Sequence, residues 1–281
     1  MIVVTGATGN VGRPLVRALV AAGERVTATS RGVAQGDVPA GVLARPADLT
    51  DVAGLRPVFD GADALFLQNG GPSAHLLPTA AVLEAAAAGG VKRVVLLSSQ
   101  GVVTRPDSAS HGRVAHAIEE AVRASGLEWT ILRPGGFASN TFAWAESVRA
   151  SRTVAAPFGD KALPVVDPDD IAEVAALALR SGEHGGQVYE LTGPALVTPR
   201  QQAAAIGAAL GEPVRFVEQS RAQALSLMTR FMPELVAETT LSILAEPNEA
   251  ERRVGPDVER VLGRPAGSYE EWARRNAPAF R

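Results

Sequence analysis

The sequence predicts an α/β fold, in which a doubly wound parallel sheet is followed by a smaller, mostly helical C-terminal lobe. Short and nearly continuous apolar runs alternate with helical stretches through the first half of the chain, as expected for parallel strands covered on both faces. Hydrophobic residues make up 46% of the 281 residues, which is enough for one large core. Beyond Phe137 the alternation loosens, and prolines interrupt a series of helices.

The predicted elements follow one another in a regular order. Strands are predicted over residues 2–5, 25–30, 64–68, 93–98 and 129–133. Helices are predicted after Gly12 and over residues 49–59, 74–88 and 113–124. Further along, acidic and proline start signals predict helices over 167–179 and 198–210, with strands over 188–191 and 214–217. Strand, helix and strand in series imply right-handed crossovers, which place helices on both faces of the sheet.

Composition and charge exclude several classes of protein. The net charge is -3, with 27 basic and 30 acidic residues interspersed, so no basic stripe for nucleic acid is visible. The chain has no cysteine, which rules out disulfides, thiolate metal sites and cysteine nucleophiles, and no metal site is predicted. No apolar run is long enough for a bilayer, and no secretory segment is visible at the N-terminus. We expect a cytoplasmic protein with no membrane contact, either a monomer or a homodimer.

A glycine-rich turn at the start of the chain is the most informative motif. Gly6, Gly9 and Gly12 are spaced G-x-x-G-x-x-G between the first strand and the first helix. The first glycine permits a tight turn, the second lets a pyrophosphate approach the backbone, and the third lets the helix pack on the sheet. Free N–H groups and the helix dipole then face the anion. The remaining residues assigned to this dinucleotide site are Thr8, Asn10 and Val11.

This motif predicts a Rossmann-type sheet and a division of the chain by role. Residues 1–150 are expected to form the NAD(P)-binding domain, with residues 165–195 completing its sheet. Residues 196–281 are expected to form the C-terminal substrate-binding lobe.

The end of the second strand indicates which dinucleotide is bound. An acidic residue there would bind the ribose hydroxyls of NAD, whereas an arginine accommodates the 2′-phosphate of NADP. The strand ends Thr29-Ser30-Arg31 and has no acid. Arg31 therefore favours NADP(H) over NAD(H), the alternative being that it is a solvated loop residue.

Asp48 and Leu49 follow the next predicted strand and are placed at the adenine end of the site. A carboxylate at this point can meet the adenine amino group. Alternatively, Asp48 or Thr50 caps the helix that follows.

Several segments together resemble one known family. They are residues 5–12, 97–99, 125–134, 159–160 and 169–172. The chain resembles the atypical short-chain dehydrogenase/reductases of the NmrA-like group, which includes NADPH-dependent quinone and triphenylmethane-dye reductases. The resemblance covers about residues 1–220 and implies an NADP(H)-dependent oxidoreductase.

The chain departs from the wider superfamily at its catalytic pair. That superfamily uses Tyr-x-x-x-Lys for acid–base chemistry, because the lysine lowers the pKa of the tyrosine. In the matching stretch Gly112 stands for the tyrosine and His116 for the lysine, and the only tyrosines are Tyr189 and Tyr269, far downstream. Alcohol dehydrogenase, epimerase and dehydratase mechanisms are therefore disfavoured.

His116 and Glu120 are the catalytic candidates in this helix. The resemblance implies a His-x-x-x-Glu spacing at this place, and residues four apart share one helix face. His116 is assigned to the nicotinamide ribose or to proton donation, with Glu120 orienting the imidazole. The alternative is a surface or packing histidine on an amphipathic helix.

Loops at the carboxyl ends of the strands are expected to line the nicotinamide and substrate, since ligands bind there in doubly wound sheets. Gln68 and Asn69 are assigned to ribose or pyrophosphate. Ser98 is assigned a catalytic and cofactor-binding role, and Ser99 and Gln100 are assigned to the substrate. For the two serines, strand-end turn chemistry is the alternative.

The segment after the strand at 129–133 supplies the remaining candidates. The resemblance implies that Pro134 packs near the nicotinamide. Phe137, Asn140, Phe142 and Trp144 are assigned to the substrate, because aromatic rings are scarce in this chain and can stack on a flat acceptor. The alternative is that the aromatic rings form the core of the helix that carries them.

These assignments predict direct hydride transfer from NADPH to a conjugated carbonyl or a quinone-like aromatic acceptor. Such an acceptor needs little help from an acid, which fits a site without the tyrosine–lysine pair, and the proton would come from solvent or His116. Two alternatives stay open: a non-catalytic regulatory protein that senses NADP(H), and a ketoreductase that tailors a natural product.

Overall fold

The computed structural model describes residues 1–68 and 71–281. Its strands are β1 (Ile2–Thr5), β2 (Val26–Ser30), β3 (Leu43–Pro46), β4 (Ala64–Gln68), β5 (Arg93–Leu97), β6 (Glu128–Pro134), β7 (Thr153–Ala156), β8 (Gln187–Leu191) and β9 (Arg215–Glu218). Its α-helices are α1 (Gly12–Ala21), α2 (Val52–Phe59), α3 (Thr79–Ala88), α4 (Gly101–Thr104), α5 (Gly112–Ala124), α6 (Ala145–Ser151), α7 (Pro168–Arg180), α8 (Pro199–Leu210), α9 (Arg221–Met228), α10 (Glu234–Ala245), α11 (Asp257–Leu262) and α12 (Tyr269–Asn276).

Seven parallel strands form the central sheet in the order β3-β2-β1-β4-β5-β6-β8. Ile2 of β1 pairs with Val26 on one side and with Ala64 on the other, so β1 lies where the strand order reverses. The chain leaves β1 toward one face and leaves β4 toward the other, which opens a crevice at the carboxyl ends of these two strands. The predicted doubly wound fold is confirmed.

Helices cover both faces of this sheet. On one face α1 and α7 pack a core that includes Leu15, Leu19 and Val174. On the other face α2, α3 and α5 pack a second core, in which Leu55 and Ile118 are buried. The β-strands between the two layers are apolar on both sides, which explains their continuous hydrophobic runs.

A third core lies outside the main sheet. It gathers β7, α6, α8, α12 and the end of the chain around buried residues such as Val148, Trp272 and Phe280. The two-stranded parallel sheet β7–β9 borders it. Val258 of α11, by contrast, belongs to the first core, so the last 86 residues do not all pack together. In the part of the chain described, no helix is long and apolar enough to cross a membrane.

Candidate cofactor and active site

The turn between β1 and α1 is packed so closely that its three glycine positions have little or no room for a side chain. Gly6 has a φ of +61°, a conformation that glycine adopts without strain. A Cβ atom at Gly12 would lie 2.1 Å from the carbonyl oxygen of Gly6. A Cβ at Gly9 would lie 3.2 Å from the same oxygen. The turn therefore brings the amino end of α1 directly against the end of β1.

The amino end of α1 offers free hydrogen-bond donors. Val11, which precedes the helix, makes no side-chain cap, and no hydrogen bond among the described residues uses the Gly12 N–H, which is therefore available for an anion. The next N–H, of Arg13, donates to the Gly9 carbonyl. Thr8 holds the turn to the second strand, since its hydroxyl donates a 3.1 Å hydrogen bond to Ser30. Asn10 holds it to the segment after β6, since its amide donates a 3.0 Å hydrogen bond to Ser139.

A cavity of about 500 Å³ opens beside this turn. It is bounded by the glycine turn, the end of β2, residues 47–50 and the end of β4. Thr29 lines it with a side chain that is 2% exposed, and its hydroxyl has no hydrogen-bond partner among the described residues. A buried polar group left without a partner costs free energy, so this hydroxyl is suited to a polar ligand. The donors of the turn and the shape of the cavity fit a dinucleotide.

The end of β2 presents a cation to this cavity. Arg31 is exposed, lines the cavity and follows Ser30 and Thr29, as the sequence predicts. Asp48 and Leu49 also line the cavity. The carboxylate of Asp48 accepts hydrogen bonds from the backbone and hydroxyl of Thr50, at 2.9 and 2.8 Å.

Both hydrogen bonds lower the pKa of Asp48, and the bond from the Thr50 backbone has the larger effect. The positive charge of the nearby Arg31 also lowers this pKa. The capping alternative is wrong for both Asp48 and Thr50, because α2 is capped by Asp51, whose side chain accepts a 3.1 Å hydrogen bond from the Gly54 N–H. Asp48 lies in the cavity wall.

Gln68 lies at the end of β4, under the glycine turn. Its backbone N–H donates a 3.0 Å hydrogen bond to the Thr5 hydroxyl. A Cβ at Gly6 would lie 2.5 Å from the Gln68 side chain, so the amide is held against the turn. Asn69, assigned to the same contact, lies outside the described residues.

A buried carboxylate ties the ends of β5 and β6 to α5. Glu119 is 0% exposed and accepts a 2.6 Å hydrogen bond from the Ser98 hydroxyl. Arg133 donates to both of its oxygens, at 2.9 and 2.6 Å, and Arg123 donates at 3.1 Å. Burial raises the pKa of Glu119, but the hydrogen bonds from Arg133, Ser98 and Arg123 outweigh it and hold the pKa below its usual value.

This network limits what Ser98 can do. Its proton is committed to Glu119, so the hydroxyl is left to accept a hydrogen bond from a ligand. The Ser99 hydroxyl accepts a 3.0 Å hydrogen bond from the Gly101 N–H, which is the strand-end turn that the sequence offers as the alternative for this serine. Gln100 donates its backbone N–H to the Pro134 carbonyl, and its side chain lies over Gly135, between the ends of β5 and β6.

The structure gives a steric reason for the glycine at the position matched to the catalytic tyrosine. A Cβ at Gly112 would lie 2.0 Å from the carbonyl oxygen of Arg105, so no side chain can occupy this position. His116 and Glu120 lie on α5 as predicted, but both are exposed, and Glu120 is 3.6 Å from Arg123. The acidic residue of this helix that reaches the end of β5 is Glu119, through Ser98, and His111 lies beside Gly101 in the segment after β5.

The aromatic residues assigned to the substrate pack against apolar cores of the protein. The Phe142 ring lies 5.0 Å from Trp272 and 5.9 Å from Phe280, stacked on the latter. Trp144 packs against the same third core. Phe137 is half-buried and packs against the first core.

The core alternative is therefore the right one for Phe142, because Trp272 and Phe280 from the end of the chain pack on its ring. Asn140 is exposed in the 3-10 helix Ala138–Trp144.

Comparison with known proteins agrees with this geometry. A family described as NAD(P)H-binding matches residues 6–181. The chain belongs to the NAD(P)H-binding family. A relative from Streptomyces griseus, named (4-alkanoyl-5-oxo-2,5-dihydrofuran-3-yl)methyl phosphate reductase, is 36% identical over 100% of this chain and 99% of its own. An NAD(P)H azoreductase from Xenophilus azovorans is 34% identical over the same shares.

Solved structures share the fold of this NAD(P)H-binding protein. The NADPH-dependent quinone oxidoreductase QOR2 of Escherichia coli, complexed with NADPH, superposes with a TM-score of 0.79. It is 24% identical, and the match covers 98% of this chain and 99% of that one. The predicted resemblance to this group of reductases is confirmed, and this member of the family is an NAD(P)-dependent oxidoreductase.

Proposed function

We propose that this protein transfers a hydride from NADPH to a conjugated acceptor, without a tyrosine–lysine pair. The observation that carries the proposal is the cavity beside the glycine turn, which fits a dinucleotide. The absence of the pair rests on Gly112 of α5, a position that has no room for a tyrosine. The cofactor supplies the hydride when bound. Its binding requires no side chain at Gly9, which leaves the backbone open to a pyrophosphate.

Preference for NADP(H) over NAD(H) rests on the end of β2. Arg31 and the Ser30 hydroxyl border the cavity, and neither is an acid that would bind a ribose diol. The guanidinium is suited to a phosphate, because its donors match the phosphate oxygens. The free Thr29 hydroxyl adds one more donor at the same wall.

The acceptor class follows from chemistry that three relatives share by name. A 4-alkanoyl-5-oxo-2,5-dihydrofuran has a ring C=C conjugated with two carbonyl groups. Azo compounds have an electron-poor N=N bond, and quinones have C=C bonds conjugated with carbonyl groups. Each of these groups accepts a hydride and delocalises the electron pair, so the main task of the protein is to position the acceptor against the cofactor. We infer a conjugated carbonyl compound or a quinone-like ring for this chain.

The described residues are assigned to the pyrophosphate, the ribose and the acceptor. The turn of Gly6, Gly9 and Gly12 binds the pyrophosphate through the amino end of α1. Ser98, with its proton held by Glu119, accepts a hydrogen bond from a ribose hydroxyl. Gln100 lies between the ends of β5 and β6 and borders the acceptor. These placements orient two flat reactants against each other.

One assay tests the proposal. Purified protein is mixed with NADPH or NADH and with menadione, methyl red or a 3-acylbutenolide, and cofactor oxidation is followed by absorbance. We expect turnover with at least one acceptor and a higher kcat/KM for NADPH than for NADH. Cofactor binding without turnover across all three acceptors would overturn the enzymatic proposal in favour of a regulatory role. Equal rates with both cofactors would overturn the NADP(H) preference alone.

A further inference from the structure

Arg13, in the first turn of α1, is fastened to the glycine turn. Its side chain is exposed, and its Nε atom donates a 2.8 Å hydrogen bond to the carbonyl oxygen of Thr8. Its backbone N–H donates a 3.1 Å hydrogen bond to the carbonyl of Gly9. Thr8 and Gly9 both line the cofactor cavity. The guanidinium group of Arg13 therefore lies at the rim of that cavity.

The hydrogen bonds of the turn show on which side of it Arg13 lies. The Thr8 hydroxyl is bonded to Ser30 at the end of β2. The Asn10 amide is bonded to Ser139, in the segment after β6. Since β2 and β6 lie on opposite sides of β1 in the sheet, Thr8 marks the β2 side of the turn. Arg13, which Thr8 holds, therefore lies on the side where the adenosine ribose and its 2′-phosphate are proposed to bind.

The charged side chains that line the cavity balance each other. Among the described residues that line it, Arg31 and Asp48 are the two that carry a charge, and their formal charges cancel. A phosphate monoester has about 1.5–2 negative charges at pH 7. A second cation at the rim gives this end of the cavity a net positive charge, and Arg13 supplies it.

Arg13 also has hydrogen-bond donors left for a ligand. A guanidinium group carries five N–H donors, and among the described residues only the side-chain Nε–H of Arg13 has an acceptor. A second polar group at this end of the cavity also lacks a partner in the described part of the chain. It is the hydroxyl of Thr29, a residue that is 2% exposed. Unused donors at both places suit a ligand with several acceptor oxygens, as a phosphate has.

We propose that Arg13 and Arg31 together bind the 2′-phosphate of NADP(H). Arg13 presents its Nη donors from the amino end of α1, and Arg31 presents its own from the end of β2. The hydrogen bond between Thr8 and Ser30 joins these two elements, so both guanidinium groups are attached to one wall. This assignment rests on the proposed binding of NADP(H), and it adds a residue that the sequence did not single out.

Calorimetric titration of Arg13→Ala with three ligands tests the proposal. NADP⁺ and NAD⁺ differ only in the 2′-phosphate, and adenosine 2′,5′-bisphosphate carries that phosphate without a pyrophosphate bridge. We expect Arg13→Ala to weaken the binding of NADP⁺ and of the bisphosphate about 10-fold, while the binding of NAD⁺ changes less than about 2-fold. The loss with the bisphosphate would exclude a contact between Arg13 and the pyrophosphate as the cause.

Three further variants complete the comparison. Arg13→Gln keeps a donor for the Thr8 carbonyl but removes the charge, so it should lose as much NADP⁺ affinity as Arg13→Ala. Arg17→Ala removes an exposed charge about 6 Å further along α1 and should leave all three affinities nearly unchanged. The double variant Arg13→Ala/Arg31→Ala should bind NADP⁺ no more tightly than NAD⁺.

The outcomes separate this inference from the proposed function. A wild-type protein that binds none of the three ligands overturns both. A wild-type protein that prefers NADP⁺, with the same preference in Arg13→Ala, overturns the role of Arg13 alone. Equal weakening of NADP⁺ and NAD⁺, or an equal loss in Arg17→Ala, overturns it as well.

A loss in Arg13→Ala that Arg13→Gln does not share would show that the arginine only fastens the turn, which also overturns the proposal. Thermal unfolding verifies that each variant is folded. Should Arg13→Ala not fold, Arg13→Gln carries the test, and an unchanged preference for NADP⁺ in that variant would overturn the role of Arg13.

Discussion

The Ser98 hydroxyl donates a 2.6 Å hydrogen bond to Glu119, a carboxylate that is fully buried beneath the proposed nicotinamide site. Arg133 of β6 and Arg123 of α5 donate to the same group. Two strand ends and one helix are thus held together through a single charged side chain. Because the carboxylate is paired on every side described, its charge is retained in the interior.

Removing this carboxylate should destabilise the protein strongly. Glu119→Ala leaves the partly buried Arg133 without its partner, and breaking a buried pair in this way costs about 3–5 kcal/mol. The measurement is the free energy of unfolding in urea. Glu120→Ala is the control, because that neighbouring carboxylate is exposed and should change stability by no more than about 0.5 kcal/mol. Equal losses in the two variants would show that the buried network does not stabilise the fold.

Acid should remove the same contribution. The folded-state pKa of Glu119 lies below its unfolded value, so its stabilisation is complete above the unfolded pKa. It is lost as pH falls through the folded pKa. Urea midpoints for wild type and Glu119→Gln should therefore differ most near neutral pH and converge in acid. A difference that stays constant down to the acid limit would contradict the charge assignment.

Arg31 should determine which dinucleotide binds more tightly. A hydrogen-bonded charged pair contributes about 1.5–3 kcal/mol, so Arg31→Ala should weaken NADP⁺ binding roughly 10-fold to 100-fold while NAD⁺ changes little. Calorimetric titration of both nucleotides gives the comparison. Arg17→Ala, on the exposed face of α1, is the control for general loss of positive charge. Equal weakening of both nucleotides would remove the 2′-phosphate role.

Close packing at Gly12 gives a sharper test of the turn. In Gly12→Ala the new methyl group would overlap the Gly6 carbonyl oxygen, so α1 must move away from β1. We expect loss of dinucleotide binding together with a lower unfolding temperature. Gly36→Ala is the matched control, because a Cβ there meets no atom within 4 Å. Normal binding by Gly12→Ala would mean that the turn does not hold the pyrophosphate.

Phe142 should affect stability rather than the acceptor. Its ring packs on Trp272 and Phe280, so Phe142→Ala should destabilise the third core by up to about 3 kcal/mol. The KM for a quinone acceptor, measured below the unfolding temperature, should stay the same. A rise in that KM with little loss of stability would restore the role in substrate stacking.

The glycine turn and several of the parallel strands could be predicted from the sequence because their signals are local. Gly6 and Gly12 are required by the close packing of a single turn of the chain. The apolar runs of β1, β4 and β5 follow from burial on both faces of the sheet. Arg31 follows in the same way from its place at the end of β2.

The extent of α5 was predicted correctly and the roles of His116 and Glu120 stay predictions, but the sequence also held a signal for a third residue of this helix. Ala115, Ile118 and Val122 are the buried stripe of α5, and helical spacing places Glu119 on that stripe. The same spacing turns His116 and Glu120 outward. The choice of His116 and Glu120 followed instead from the match of Gly112 to the tyrosine motif. The contact between Gly112 and the Arg105 carbonyl, which explains the glycine, is visible only in the structure.

Contacts between distant segments were beyond prediction from one sequence. Phe142 meets Trp272 and Phe280 across more than 120 residues of chain, and no local pattern marks that pairing. The contact of His111 with Thr240 has the same character, since it joins α10 to the start of α5.

Calorimetric titration of the purified protein with NADPH tests the central claim most directly, because the turn at Gly6 to Gly12 and the adjoining cavity are proposed to hold this cofactor. We expect one molecule of NADPH to bind each chain, with NADH binding more weakly. The absence of heat for either cofactor, from protein whose folding is verified by its thermal unfolding, would contradict the account.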